Sequence, residues 1–352
     1  MADVVFAIPG DIKAKTGGYI YDRRVIDLLP EFGWQAHHLV LPGDFPAPSK
    51  ASLAETERLL TDAMPSGSLL LIDGLAYGAL PADLIARVKR RIVALVHHPL
   101  SLEAGISAER AALFARSERE ALAEATHVVV TSRSTGELLA RDFAVPPANI
   151  TVAEPGTDPA PRARAAAGPP RLLSVGSVTE HKGHRVLMQA LTQILDLPWE
   201  SRLVGSLDRD ADTVKFMRET AAQNSLTERI VFRGALNEAE LDEEYAQARL
   251  FVLPSYFEGY GMAFTEAMTR GLPVVACAAG AVPKTVPADA GILVKPGDGT
   301  ALAKALRLLL TNPKELETRA EAAWTHGQTL PRWRDTAERV ANGLTLALKK
   351  AA

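Results

Sequence analysis

The chain has 352 residues, a formal net charge of −3, and 47% hydrophobic against 23% charged residues. That balance excludes intrinsic disorder, leaves room for two domains of ordinary size, and provides no basic field for general nucleic-acid binding. A single cysteine, Cys277, excludes an internal disulfide framework and a multi-cysteine metal site, and its apolar surroundings read as core packing.

The N-terminus lacks a basic segment and a long apolar core. It is expected to be a first strand, not a signal peptide. No stretch approaches the ~20 apolar residues needed to span a bilayer. A cytoplasmic protein is expected, with membrane contact at most peripheral. Apolar runs at 4–8, 36–41, 69–72, 92–96, 127–131 and 150–153 read as strands, with helical patterns such as 107–124 between them. This order predicts a parallel sheet covered by helices. Gly17 and Gly18 open a helix after a loop holding Lys13 and Lys15. They fit either a close approach of backbone to ligand or a simple turn. His97 and His98 follow the run 92–96, so their imidazoles stand at a strand's carboxyl end. Such a histidine can bond a sugar hydroxyl or assist proton transfer, against the plain reading of a satisfied structural residue. Lys13, Lys15, Arg23 and Arg24, and then Lys89, Arg90 and Arg91, form basic segments that fit an anionic membrane or ordinary solvated charge.

Between 157 and 170 the composition turns to Pro, Ala, Arg and Gly, which reads as a linker. The alternation then restarts, with strands at 171–175, 201–204, 230–233, 250–253, 273–276 and 292–294. Helices are expected at 185–194, 212–223, 238–248, 262–270 and 300–310. The predicted domains are 1–160 and 161–330, followed by an amphipathic tail, 331–352, that holds Trp333 and returns to the first domain.

The sharpest signal is the pair Glu258 and Glu266, seven residues between them. Glu258 lies in a glycine-rich strand-to-helix loop with Gly259, Tyr260 and Gly261, and Glu266 lies in the helix that follows. Free N–H groups at that helix start suit a phosphate, and two acceptor carboxylates suit hydroxyls. Gly176, Ser177, Lys182 and Gly183 lie between a strand and a helix. Lys182 is either an exposed turn lysine or a point charge for phosphate, and the glutamate pair favours phosphate. Arg233 ends a strand at a turn whose backbone could face a nucleobase. Asp208, Asp210 and Asp212 precede a helix and read as capping rather than a metal clamp.

Together these motifs resemble the donor domain of retaining GT-B glycosyltransferases of family 4. The matching pieces run in the family's order from Gly176 through Lys182, Gly205, Arg233, Glu258 and Glu266 to Gly271 and Pro296. The resemblance implies an α/β GT-B architecture, two doubly wound Rossmann-like domains facing a cleft, the first for acceptor and the second for a nucleotide-sugar donor. It implies that Glu266 binds ribose and Glu258 the donor sugar. Gly17, Gly18, Gly176, Ser177, Gly205, Gly259, Tyr260 and Gly261 would line the donor, with Arg233 near its base. Lys182 would neutralise the diphosphate. His97, with His98 as the alternative, would touch the sugar near the reacting centre. One departure stands out: many members carry arginine where this chain has Ser177. Either another basic residue substitutes, His181 or an arginine of the first domain, or stabilisation of the leaving group is weaker.

The implied chemistry is transfer of a hexosyl or uronosyl group with retention, by a front-face route without protein nucleophile, metal or cofactor. A UDP-sugar is the first expectation and GDP-mannose the second. A membrane lipid such as diacylglycerol is the first expected acceptor and a soluble sugar or small molecule the second. The competing readings are a degenerate nucleotide-sugar-binding protein and a GT-B epimerase or phosphorylase. Oligomeric state is left open.

Overall fold

The computed structural model describes residues 1–103 and 105–350. The chain divides into two compact units, Met1–Gly156 with the tail from Pro331 onward, and Thr157–Leu330. The first unit runs β1 (Ala2–Pro9), α1 (Gly17–Leu28), β2 (Trp34–Leu41), α2 (Lys50–Thr61), β3 (Leu69–Asp73), α3 (Gly74–Tyr77), α4 (Ala82–Val88), β4 (Ile92–Val96), α5 (Ala108–Ala123), β5 (His127–Val130), α6 (Arg133–Asp142) and β6 (Ile150–Val152). All six strands pair in parallel, in the order β2-β1-β3-β4-β5-β6. The central strands β3 and β4 are buried at every position, as a parallel sheet covered on both faces requires. Val5, Leu70, Ile72, Ala94 and Val96 share one core with Tyr77, Leu80 and Leu84. The chain leaves β1 toward one side of the sheet and β3 toward the other. The carboxyl ends of these two neighbours therefore form a crevice of the kind where doubly wound sheets bind ligands.

The second unit runs β7 (Arg171–Val175), α7 (His184–Leu191), β8 (Glu200–Val204), α8 (Ala211–Gln223), β9 (Ile230–Gly234), α9 (Glu238–Gln247), β10 (Leu250–Leu253), α10 (Met262–Thr269), β11 (Val274–Cys277), α11 (Val282–Thr285), β12 (Gly291–Val294), α12 (Gly299–Thr311) and α13 (Pro313–Thr329). Its strands are parallel, in the order β12-β11-β10-β7-β8-β9. Alternate residues feed two cores. Leu172, Val252 and Val275 pack with α7 and α12 on one face, and Leu173, Phe251 and Val274 pack with Phe264 and Met268 of α10 on the other. The switch point of this sheet lies between β7 and β10.

The proline- and alanine-rich segment expected as a linker differs from that expectation. Its amides are spent on the second unit: Ala163 donates to the Arg270 carbonyl (2.9 Å), Arg164 to Ala246 (2.9 Å) and Ala166 to Gln247 (3.0 Å). Arg162 reaches Glu321 at 2.7 Å. The segment satisfies carbonyls at and beyond the ends of α9 and α10, so it is a bound strap and not a free spacer.

The tail forms α14 (Trp333–Lys349) and packs within the first unit. Ala337, Val340 and Leu344 are buried, and the Trp333 ring meets Tyr21 edge-on at 6.0 Å. Gly156 is required where the chain closes on this helix, because a Cβ there would lie 2.2 Å from the Trp333 amide nitrogen. Lys350 fixes the far end through the Thr126 carbonyl and Asn149 Oδ1, both at 2.6 Å. No helix among the described residues is long and apolar enough to cross a membrane.

Candidate functional site

The carboxyl ends of β7 and β10 bring Lys182 and Glu258 together across 76 residues of sequence. Lys182 Nζ donates to Glu258 Oε1 at 2.7 Å, and Ser255 Oγ donates to the same oxygen at 2.6 Å. Two local features make this approach possible. Gly183, at φ +70°, lies so close to β10's exit that a Cβ would stand 2.0 Å from the Pro254 carbonyl oxygen. The Tyr256 amide also donates to the His181 carbonyl at 3.0 Å, tying the two loops. Burial alone would push the Glu258 carboxyl up. The Lys182 charge and the bonds from Lys182 and Ser255 outweigh it and hold the group below the ordinary carboxylate range. Among the described residues no hydrogen bond reaches Oε2, so one oxygen of Glu258 is committed to Lys182 and Ser255 and the other is not.

Glu266 follows on α10, whose first turn carries no side-chain cap. Its Oε2 accepts the Tyr245 hydroxyl at 2.8 Å. Burial is the largest influence and lifts this carboxyl above its ordinary value, against the pull of Tyr245 and Arg270. Among the described residues no hydrogen bond reaches Oε1. Gly259, Tyr260 and Gly261 form the loop between the two glutamates, pinned where Thr285 Oγ1 donates to the Tyr260 carbonyl at 2.8 Å. Gly205 presses on the other loop: a Cβ there would be 2.1 Å from the Gly176 oxygen and 2.8 Å from the Ser177 nitrogen.

Arg233 lies at the end of β9, but its guanidinium is tied to Glu244, Nε to Oε1 at 2.6 Å. Asp210 caps α8 through the Thr213 amide (2.9 Å) and also accepts the Glu180 amide (2.9 Å), which is capping chemistry. Cys277 is buried, and desolvation pushes its thiol up to about 11. Ser255 and Tyr245 escaped the sequence reading. Only the three-residue spacing of Ser255 to Glu258 could have signalled the first, and nothing local signals the second.

The first unit gathers a second cluster at the carboxyl ends of β3 and β4. His97 Nε2 lies 3.4 Å from Asp22 Oδ1 on α1 and 3.3 Å from Asp73 Oδ2 at the end of β3. These are ion-pair distances, and neither contact is an aligned hydrogen bond: His97 Nε2 and both Asp22 oxygens are buried without one. One polar atom from each of the three side chains lies within 4.8 Å of the other two. Asp73 is further fixed through Oδ1, which accepts the Leu75 amide at 2.8 Å. Tyr21 meets the His97 ring edge-on at 5.3 Å and donates its hydroxyl to the Ala153 carbonyl at 2.9 Å. A Cβ on Gly18 would stand 3.4 Å from the ring. Gly17 begins α1, capped by Thr16. His98 is set apart from the cluster and reaches Glu103, Nε2 to Oε2 at 2.8 Å. Asp22 and Asp73 were not read from the sequence. The one signal was an aspartate closing an otherwise apolar strand.

The basic segments are largely spent on the fold. Arg90 donates to the carbonyls of Ala63 (2.9 Å) and Ser68 (2.6 Å), and Arg91 to Leu348 (3.2 Å). Arg23 bonds the Ile12 carbonyl, and Arg24 lies over the Trp333 ring at 5.8 Å.

Two family models match nearly end to end: glycosyl transferases group 1 over residues 160–325 and the glycosyl transferase 4-like domain over 22–156. The chain is 27% identical over 250 residues to MMP alpha-(1->4)-mannosyltransferase of Mycolicibacterium hassiacum, covering 66% of this chain and 59% of that protein. It is 30% identical over 231 residues to D-inositol 3-phosphate glycosyltransferase 1 of Catenulispora acidiphila, covering 59% and 54%. The match therefore spans little more than half the length of these relatives. Among solved structures, Anabaena HepE in complex with UDP-glucose superposes with a TM-score of 0.78 at 19% identity, over 98% of this chain and 100% of that one. Both sheets have the doubly wound α/β form of the GT-B fold.

Proposed function

From the premise that this chain belongs to the group 1 glycosyltransferases of the family 4 type, we propose that it moves a hexosyl group from a nucleoside-diphosphate sugar to a hydroxyl acceptor with retention of configuration. The observation that carries this reading is the Lys182–Glu258 contact at 2.7 Å. It sets a cation for the diphosphate beside a carboxylate whose second oxygen has no hydrogen bond from a described residue. Glu266 serves the ribose by the same logic, with Oε1 as its available acceptor. The glycine loop at 259–261 and the uncapped start of α10 supply N–H groups for the anion.

The hydroxyl beside the Lys182–Glu258 pair, Ser255 Oγ, is on a buried residue and its proton is committed to Glu258 at 2.6 Å. The route proposed is front-face, in which the leaving phosphate oxygen takes the acceptor proton. Catalysis then rests on positioning and on stabilising the departing charge. Lys182 and the α10 N–H groups provide positive charge without a metal. His97 is proposed to touch the donor sugar. UDP is the first proposed nucleotide, supported by the UDP-glucose complex of the structural neighbour. GDP-mannose is the second; a relative named as a mannosyltransferase supports the sugar.

For the acceptor, the inositol phosphate glycosyltransferase relative supports a small polyol. The engagement of Arg90 and Arg91 within the fold weakens the case for those residues as a membrane patch. A lipid acceptor keeps one specific observation: on α5, Leu113 is 54% exposed between the exposed Arg110 and Arg116. The test is product analysis with UDP-glucose and GDP-mannose, offering inositol phosphates or diacylglycerol vesicles. An α-linked product from an α-linked donor supports retention. Product only with vesicles selects the lipid reading, and product of inverted configuration defeats the mechanism.

A further inference from the structure

We propose that Asp22 and Asp73 hold the His97 ring doubly protonated, with Nε2–H facing the two carboxylates at ion-pair distance and Nδ1–H presented as a cationic hydrogen-bond donor to an oxygen of the bound sugar donor. This rests on the proposed contact of His97 with that donor. Asp22 and Asp73 are then positioning residues, and His97 cannot serve as a base.

The geometry makes the argument. Asp22 is 0% exposed and neither of its oxygens has a hydrogen bond. A buried carboxylate without a partner is costly, and a second carboxylate, Asp73, lies in the same cluster. A cation between them is the least expensive solution, and His97 Nε2 stands 3.4 and 3.3 Å from the pair. Tyr21 packs against the ring in a T-shaped contact, and the bare backbone of Gly18 leaves room beside its Cδ2 and Nε2 atoms, where a Cβ would stand at 3.4 Å. Nε2 is wholly buried, whereas no hydrogen bond from a described residue engages Nδ1. Nδ1 is therefore the polar edge available to a ligand, on a side chain that is 22% exposed.

The charged and titratable groups facing the cluster come from four elements: Asp22 and Tyr21 on α1, Asp73 at the end of β3, His97 after β4, and Arg339 on α14, which acts on Tyr21. Burial alone would lower the His97 pKa. Asp22 and Asp73 outweigh it and raise the imidazole to about 10. Burial and the Asp73 charge raise Asp22 to about 7, with His97 pulling the other way. The His97 direction favours a protonated ring at neutral pH, whereas the raised Asp22 value means that this carboxyl itself takes up a proton as pH falls through about 7. A ring already carrying two protons donates from Nδ1 and accepts nothing there, which leaves the departing phosphate oxygen as the site for the acceptor's proton.

The experiment is a histidine ring ¹⁵N NMR titration of the full-length, ligand-free protein, followed by kinetics. The expected result is a His97 ring with both nitrogens protonated through pH 8.5. In D22N the titration midpoint falls by at least about one unit, a tenfold loss of proton affinity. D22N should also lose kcat/KM for nucleotide release as pH rises through that lowered midpoint, roughly tenfold one unit above it, and recover at pH 6, where the ring regains its proton. A neutral wild-type His97 ring at pH 7 overturns the proposal. So does an equal kinetic loss at both pH values, which marks a purely structural role. So does displacement of the Nε2 proton by added Zn²⁺, which would make the cluster a metal site. The wild-type titration needs neither a folded variant nor turnover, so its outcome is independent of whether the protein transfers sugar.

Discussion

Lys182 Nζ and Ser255 Oγ converge on one oxygen of Glu258, at 2.7 and 2.6 Å. The carboxylate is thus neutralised and oriented in one step, and its other oxygen is held ready. Lys182 cannot be treated as a lone phosphate-binding charge, because removing it also strands a buried carboxylate.

Substituting Lys182 by Met should therefore cost stability as well as donor affinity. Breaking a buried ion pair by removing one partner costs about 3 kcal/mol, and the side chains here are 23% and 11% exposed. Urea melts of K182M, E258Q and the double variant check this. The double variant should be more stable than the sum of the two single losses implies, with the coupling vanishing if the two groups act independently.

Acid should unfold the second unit early. The Glu258 pKa in the folded protein lies below its unfolded value. Its stabilising contribution is complete above the ordinary carboxylate range and disappears as pH falls through the depressed pKa. Thermal melts between pH 7 and pH 3 should show a steeper loss for the wild type than for E258Q, and parallel curves would speak against the ion pair.

Glu118 predicts the opposite slope in the first unit. It is 1% exposed, accepts the Leu100 amide at 3.0 Å, and its Oε1 is buried without a partner. Burial pushes its carboxyl up to about 8, against the bond from Leu100. A carboxyl raised in the folded state contributes most below its unfolded pKa and progressively destabilises as pH climbs toward 8. E118Q, permanently neutral and still able to accept the Leu100 amide, should raise the Tm at pH 8 and leave it nearly unchanged at pH 4.

Tyr245 should matter to the nucleoside and little to the sugar. Its hydroxyl bonds Glu266 at 2.8 Å. Y245F removes that bond at a cost of about 1 kcal/mol in stability. It should weaken free UDP as much as UDP-glucose in calorimetric titration. A loss confined to the sugar nucleotide would place Glu266 elsewhere.

Much of this fold could be read from the sequence, because parallel strands buried on both faces appear as short apolar runs. The runs 69–72, 92–96 and 250–253 correspond closely to Leu69–Asp73, Ile92–Val96 and Leu250–Leu253. The glutamate pair was legible because both residues lie on one local loop and helix. The Asp22, Asp73 and His97 cluster was not, since three separate segments meet only through the β1-β3-β4 register. Composition marked 157–170 as a linker, and the boundary between the two units falls at its start, but composition does not report how the segment is held. The decisive fact there is that amides of Ala163, Arg164 and Ala166 find carbonyls on the second unit, a long-range pairing that no local pattern reports.

The most direct measurement of the central claim is nucleotide release from UDP-, GDP- and ADP-sugars by the wild type and by Glu258→Ala, in EDTA. Release from one donor by the wild type, persisting in EDTA and reduced at least a hundredfold in E258A, is the predicted result. No release from any sugar nucleotide by a folded protein that binds one would contradict the account and make it a nucleotide-sugar-binding protein, with Ser177 the first residue to explain.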